Sequence, residues 1–419
     1  MSETPLSVAE ACERILADVG PLAAENVAVK QCLGRVLAED VRSPLALPPW
    51  DNASMDGYAV HAEDVQGATS TSPRILPVVG TIAAGAASAR RLERGEAMRI
   101  MTGAPLPAGA DSVIRVEDTD AGETSVRVFG ERDALRNVRP RGEDLAEGEI
   151  ALRAGTELHA AHLGLAASVG RSALRVTRRP RVAVLASGDE LVDVDRFDEV
   201  LAGARIVTSN SYTLEAAVRE AGAEPVPLGT VGDDPVQLRE RLEGCDCDLL
   251  LTTGGVSVGA FDFTRRVLAD LGVTLRFWRV RIRPGAPVGF GLLRGTPWLG
   301  LPGNPVSTLV TFELFARPAI RKMLGHALLF RRAIPVRAAE TITIAAPLTH
   351  FLRAEVKAGA DGLEAKLTGP QGSGLLSSMA RANALLVVPP DRARIEAGQP
   401  VQALLLRDEI GHASVPPGP

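Results

Sequence analysis

Residues 247–262 read CDLLLTTGGVSVGAFD. An uninterrupted apolar run, Leu249–Leu251, passes through two threonines into a glycine-rich loop, and DFTRRVLADLG (262–272) then carries apolar residues at helical spacing. A continuously apolar strand followed by a helix is the pattern of a sheet buried on both faces. The segments before it repeat the alternation. RVAVLAS (181–187) reads as a strand and YTLEAAVREAG (212–222) as a helix ending at Gly222. AEPVPLGTV (223–231) reads as a strand and DDPVQLRERLEG (233–244) as a helix with an Asp cap and Pro in its first turn. The expected fold at 178–326 is therefore a doubly wound parallel α/β sheet, with ligands at the carboxyl ends of its strands.

Outward from this unit the texture changes. SVAEACERILADV (7–19) predicts a helix capped by Ser7, and GTELHAAHLGLAASVG (155–170) a second one. Between them, 43–141 alternates short apolar runs with Gly and Pro and reads as a mostly β insertion. The flanking pieces 7–42 and 142–177 are expected to pack together as a helical domain. Beyond Gly325, TITIAAPL, ALLVVPP and VQALLL predict a C-terminal β barrel or sandwich over 327–408, followed by a tail at 409–419.

Composition excludes several classes. The chain has 419 residues, 46% hydrophobic and 23% charged, with a net charge of −5. That balance speaks against a general nucleic-acid or membrane surface. No apolar run approaches the ~20 residues of a membrane span, and no signal peptide is visible at the N-terminus, so a cytoplasmic protein is expected. Cys12, Cys32, Cys245 and Cys247 lack the spacing of a zinc site and read as reduced thiols. His159 and His162 read as helix-surface histidines.

Four strand-end loops carry the chemistry. TTGGVSVGAFD (252–262) offers backbone N–H groups and Ser257 to a phosphate or carboxylate, with no Walker signature. ASGDEL (186–191) places Asp189 and Glu190 past a strand end, where a divalent cation, a reacting proton or helix capping would each account for them. LPGNPVS (301–307) is a rigid turn entering a helix. RFWRVRIRPGAP (276–287) alternates Arg279, Arg281 and Arg283 with apolar residues, giving one basic strand face. Together these describe a pocket for an elongated anion plus a metal. Apart from them lies DNASMDGYAV (51–60), a compact loop too polar for a core.

Read in order, DNASMDGYAV, RIMTGAPLPAGADSVIRVED (99–118), RPRGEDL (139–145), ASGDELV, IVTSNSYTLEAAVREAG (206–222), TTGGVSVGAFD, IRPGAP and LPGNPVSTLVTFELFARPAIRKMLG (301–325) resemble the molybdopterin molybdenumtransferases, the family of bacterial MoeA and the gephyrin E domain. The resemblance implies an L-shaped homodimer of four-part subunits, with the site shared between the α/β domain of one subunit and the inserted module of the other. It implies adenylylated molybdopterin and molybdate as substrates, Mg²⁺ as cofactor, and release of AMP. A molybdopterin adenylyltransferase and apo-molybdoenzymes would be transient partners, and no nucleic acid or membrane.

By the same resemblance Asp56, Thr102, Asp144, Glu190, Asp262 and Arg283 are the catalytic candidates. Asp51, Ser209, Asn210, Asp233, Gly254, Gly255, Ser257, Gly259, Pro302, Asn304, Pro305 and Ser307 are the binding candidates. Asp56, Asp189, Glu190 and Asp262 are the metal candidates. The chain departs from the family at Ala286, where Lys is usual, at Phe263 in place of Tyr, and at Ala186–Ser187. Two rival classes that share the α/β domain, molybdopterin adenylyltransferases and CinA-like nucleotide hydrolases, both lack the DNASMDGYAV module, and the first carry a GGTG loop instead of GGVSVG. The remaining alternative is an altered paralogue that serves as a pterin-binding or assembly scaffold.

Overall fold

The computed structural model describes residues 4–232, 234–254, 267–344, 347–359 and 362–407. Its α/β domain holds a six-stranded sheet in the order Glu224–Val231, Arg181–Ser187, Leu249–Thr253, Thr296–Leu301, Gly289–Leu293, Val273–Phe277. The first four run parallel. Successive side chains of each strand fall on opposite faces. Val182, Val184, Leu249, Leu251, Leu299 and Leu301 pack against the helix Ser209–Glu220 and the helical run from Pro305 to Met323. Ala183, Leu185, Leu250 and Trp298 pack on the other side, against Leu238 and Leu242 of the helix Pro235–Glu243.

The sheet departs from the expected all-parallel arrangement at one edge. Gly289–Leu293 is antiparallel to both of its neighbours. The cause is local: Arg294 (φ +51°) and Gly295 (φ +89°) form a two-residue turn with both residues left-handed, and such a turn can only return the chain as a hairpin. The basic stretch 276–287 is likewise not one strand. Val273–Phe277 ends in the α/β sheet, and Ile282–Arg283 pairs in parallel with Thr349–His350 of the C-terminal domain. The alternation itself persists, with Arg279, Arg281 and Arg283 exposed and Trp278, Val280 and Ile282 buried.

The C-terminal domain is a barrel. Strands Thr349–Gly359, Gly362–Leu367, Ala333–Ala338, Pro400–Leu405 and Ala384–Val388 pair in that order, and Ala384–Val388 pairs back to Thr349–Gly359. Closure leaves these strands without a free edge.

Residues 43–141 hold a five-stranded sheet, Ser112–Arg115, Gly57–Val60, Ala97–Ile100, Arg74–Ile82, Ser125–Val128. It carries a small core on each face, one around Tyr58 and Ile114 and one around Met98 and Ile100. The flanking pieces meet chiefly through strand pairs rather than helices. Ala24–Ala28 pairs with Ala173–Thr177, and Val41–Arg42 with Ile150–Leu152. One helix, Ala160–Ser168, belongs to this unit, where His162 Nδ1 accepts the His159 N–H at 3.0 Å. The other expected helix, Val8–Ala17, is capped by Ser7 in a reciprocal box with Glu10, yet it sends Ala11, Cys12 and Ile15 into the α/β core. Amphipathicity gave its buried stripe but not the domain that covers it.

Among the described residues no helix is long and apolar enough to cross a membrane. Where the flanking unit meets the α/β domain, His326 lies with Nδ1 3.6 Å from Glu157 Oε2 and 3.0 Å from an Arg321 nitrogen. Burial, with help from Arg321, pushes its pKa down from 6.5 to about 4. The imidazole therefore stays neutral in the folded chain across a range where the unfolded chain takes up a proton. Stability is expected to fall as pH drops from about 6.5 toward 4. Melting midpoints across that window should decline less steeply in His326→Gln; equal slopes would refute the assignment.

Candidate functional site

Three parallel strands deliver their carboxyl ends to one edge, and the loops that leave them touch at close range. Gly254, directly after Leu249–Thr253, has φ +92°, and a Cβ there would lie 2.1 Å from Ser187 O. Only glycine lets these two loops approach so closely. A Cβ on Gly303 would sit 3.6 Å from Gly254 Cα, so the Pro-Gly-Asn-Pro turn lies on the same spot. Asn210 clamps the group: its Nδ2 donates to Thr253 Oγ1 at 2.9 Å and to Gly303 O at 2.8 Å. Thr253 Oγ1 in turn donates to Pro302 O at 3.0 Å, and Thr308 Oγ1 donates to the same carbonyl at 2.5 Å. Among the described residues, Asn210 Oδ1 is buried without a hydrogen-bond partner. An unmatched buried acceptor beside a ligand edge is a position for a ligand donor.

Asp189 and Glu190 occupy the rim and are exposed. A Cβ at Gly232 would come 2.7 Å from Asp189 Oδ1, and one at Gly188 would come 2.7 Å from Glu190 Oε2. Both exposed carboxylates therefore lie close over glycine backbone. Asp189 also borders a polar cleft of about 420 Å³ whose walls include Asp193, Arg196, Arg205 and Gly232. A larger cavity, about 490 Å³, is apolar and lies between the helix Val8–Ala17 and the barrel, away from every candidate residue. Chemistry, not size, singles out the polar edge.

Ser209 opens the helix that carries Asn210, and Pro305 opens the helix after the Pro-Gly-Asn-Pro turn. Ser307 is only 3% exposed, within that helix's packed face. Asn304 Nδ2 donates to Ser373 Oγ at 3.0 Å, so one of its amide donors is engaged by the barrel. Arg283 is exposed at the strand pair linking α/β domain and barrel. Asp233, Gly255, Ser257, Gly259 and Asp262 lie outside the described residues, as does Phe263.

The barrel's share of this edge was missed by sequence reasoning. Ser373 O accepts the Val306 N–H at 3.0 Å, which places the loop 369–374 over the start of the helix. Arg353, fully buried, holds that loop by donating to Pro370 O at 2.8 Å and Gly372 O at 3.1 Å, and it also donates to Ser378 Oγ on the helix Leu376–Arg381 at 2.9 Å. The glycine-rich GPQGSG (369–374) is a visible signal, but nothing in it names its neighbour.

The remaining candidates stand together on the inserted module. Thr102 donates from both N and Oγ1 to Asp56 Oδ1, each at 2.7 Å. The backbone bond first, then the hydroxyl, hold the Asp56 carboxyl below its usual range. Its other oxygen has no protein hydrogen bond among the described residues. Gly57 sets this geometry, since a Cβ there would lie 1.9 Å from Ile114 O. Asp51 Oδ1 accepts the Arg141 N–H at 2.7 Å, and Asp144 is exposed on the following turn, where its N–H donates to Leu47 O at 2.9 Å. Among the described residues, no hydrogen bond, ion pair or shared core joins 52–139 to the α/β domain. One chain thus presents two separate clusters.

No group of three or more His, Cys, Asp or Glu able to hold a metal occurs among the described residues. The adjacent oxygen donors of Asp189 and Glu190 still suit Mg²⁺, which keeps most of its waters and takes one or two carboxylates together with substrate phosphate.

Comparison with known proteins accounts for nearly the whole chain. Residues 6–170 match the model of the MoeA N-terminal region (domain I and II), 183–322 a probable molybdopterin binding domain, and 335–406 the MoeA C-terminal region (domain IV). The chain is 40% identical over 392 residues to molybdopterin molybdenumtransferase 2 of Mycobacterium tuberculosis (strain ATCC 25618 / H37Rv), covering 90% of this chain and 94% of that one. It is 37% identical to the molybdopterin molybdenumtransferase of Nostoc sp. over 89% of this chain and 86% of that one. The crystal structure of the molybdopterin biosynthesis moeA protein from Pyrococcus horikoshii OT3 superposes with a TM-score of 0.83 at 28% identity, over 96% of this chain and all of that one. With its three family regions in order and this identity over nearly its full length, the chain belongs to the MoeA family of molybdopterin molybdenumtransferases.

Proposed function

We propose that this molybdopterin molybdenumtransferase acts through a composite site in molybdenum cofactor biosynthesis. The strand-end edge of one subunit holds adenylylated molybdopterin, and the Asp51–Asp56–Thr102 cluster of a second copy completes the site. The separation of the two clusters within one chain is the observation that carries this reading.

The chemistry sets what each group must do. Two dithiol sulfurs bond to molybdenum while one molybdate oxide leaves as water, taking up the two thiol protons. The adenylyl phosphoanhydride is cleaved by water, releasing AMP. When bound, Mg²⁺ supplies positive charge for the departing phosphate. Asp189 and Glu190 are the residues that would hold it. Asn210 fixes the edge, and its Oδ1, unpartnered among the described residues, accepts a donor from the pterin. Asp56, kept ionised by Thr102, offers one open carboxylate oxygen to a proton or a hydrated ion. Arg283 brings a guanidinium to the oxyanion side of the edge. No protein nucleophile is required. A molybdopterin adenylyltransferase would supply the substrate, and apo-molybdoenzymes would accept the product.

One observation favours a scaffold instead: Ala286 removes an ammonium that the family's pattern places beside the anion. AMP release separates the two readings. Purified protein given adenylylated molybdopterin, Mg²⁺ and molybdate should release AMP and reconstitute an apo-molybdoenzyme. Glu190→Ala should lower both by roughly 10²–10⁴-fold. Tight pterin binding without AMP release would instead support the scaffold.

A second expectation concerns the module. In Thr102→Val one of the two bonds to Asp56 is lost, so the Asp56 carboxyl should titrate higher, nearer the ordinary carboxylate range, by NMR. Transfer should fall while the fold is kept. An unchanged titration would remove Thr102 from this role.

A further inference from the structure

Three arginines converge where the flanking unit, the α/β domain and the barrel meet, well away from the edge described above. Arg317 and Arg321 lie one turn apart on the helix Arg317–Met323, and Arg331 enters from the chain leading into the barrel. Their side chains are mostly buried, at 16%, 18% and 24% exposure. Two carboxylates face them. Arg331 takes both oxygens of Glu313, with Nε 2.7 Å from Oε2 and a terminal nitrogen 3.2 Å from Oε1. Glu157 lies 3.8 Å from Arg321, which also donates to Leu328 O at 2.9 Å.

Arg317 is left over. It makes no hydrogen bond among the described residues, and its nearest acid oxygen, Glu313 Oε2 at 3.8 Å, is already taken by Arg331. His326, neutral beside Arg321, supplies no negative charge. Among the described residues, three guanidinium groups therefore face two carboxylates, which leaves one positive charge in excess in a half-buried place. Burial and the repulsion of Arg331 hold the Arg317 pKa down at about 10, so it remains charged at neutral pH. A partly desolvated cation whose planar fork makes no hydrogen bond among the described residues can take an anion.

We propose that Arg317, with Arg321 and Arg331, binds one small phosphate-type oxyanion at this three-domain junction. The anion supplies the missing charge and bridges helix and barrel, so its occupancy stabilises the placement of the barrel on the α/β domain. Because that placement sets the loop 369–374 over the Val306 N–H, the site also reaches the polar edge. The inference does not depend on the reaction assigned there.

Full-length protein would be melted with increasing inorganic phosphate against chloride at matched ionic strength, with AMP run beside it. The melting midpoint should rise saturably with phosphate, as mass action requires. Calorimetric titration should lose one phosphate per chain in Arg317→Met. An Arg317-dependent effect of phosphate alone assigns the site to the free anion, and an effect of AMP as well extends it to phosphate esters. If Arg317→Met does not fold, Arg317→Lys keeps the charge but not the fork, and should bind phosphate ~10-fold more weakly. Phosphate responses identical in wild type and either folded variant would overturn the proposal.

Discussion

The polar edge depends on one amide. Asn210 Nδ2 joins the end of Leu249–Thr253 to the Pro-Gly-Asn-Pro turn, and Thr253 passes the connection to Pro302. Each such bond is worth about 1 kcal/mol net. Their value here is geometric, because loops that arrive from three separate strands gain a common frame. Gly254 is the other half of the constraint: with Ser187 O in the space a Cβ would fill, the first loop is held against the second. The groups proposed to face a ligand, Asp189, Glu190 and Asn210 Oδ1, lie at the same strand ends that this contact ties together.

The barrel extends that frame. Ile282–Arg283 joins Thr349–His350, and Ser373 engages both Asn304 and the Val306 N–H. Arg353 accounts for the order of the connecting loop, since a buried guanidinium must find acceptors and the loop's carbonyls provide them. Three chain regions distant in sequence therefore form one surface. The inserted module stands apart from it, with its own two small cores and an ionised Asp56.

Much of this was legible from residues alone. Arg181–Ser187 and Leu249–Thr253 announced themselves as unbroken apolar runs, and the polar edge at their carboxyl ends followed from strand direction. What failed to show has physical reasons. The Arg294–Gly295 turn reverses one edge strand, and two residues of left-handed backbone are easily overlooked beside long apolar runs. The flanking unit looked helical because both segments read as helices, Val8–Ala17 and Ala160–Ser168, do form helices, while its strands are as short as Val41–Arg42 and gain pairing only when distant segments meet. Ser373 and Arg353 were invisible as site neighbours because nothing local marks a loop that packs on another domain. The roles expected of Asp56 and Thr102 rest on the family resemblance; the structure adds their paired hydrogen bonds.

The central claim is that the two clusters of one chain belong to different sites in an assembly. Subunit mixing tests it most directly. Asp56→Ala and Glu190→Ala proteins, each inactive alone, would be combined under exchange and assayed for AMP release with cofactor reconstitution. In a symmetric dimer with shared sites, half of the randomly mixed assemblies carry one intact site of two. Activity should then recover to about a quarter of wild type. No recovery on mixing, with exchange verified by mass, would contradict the composite site and place both clusters within a single subunit's chemistry.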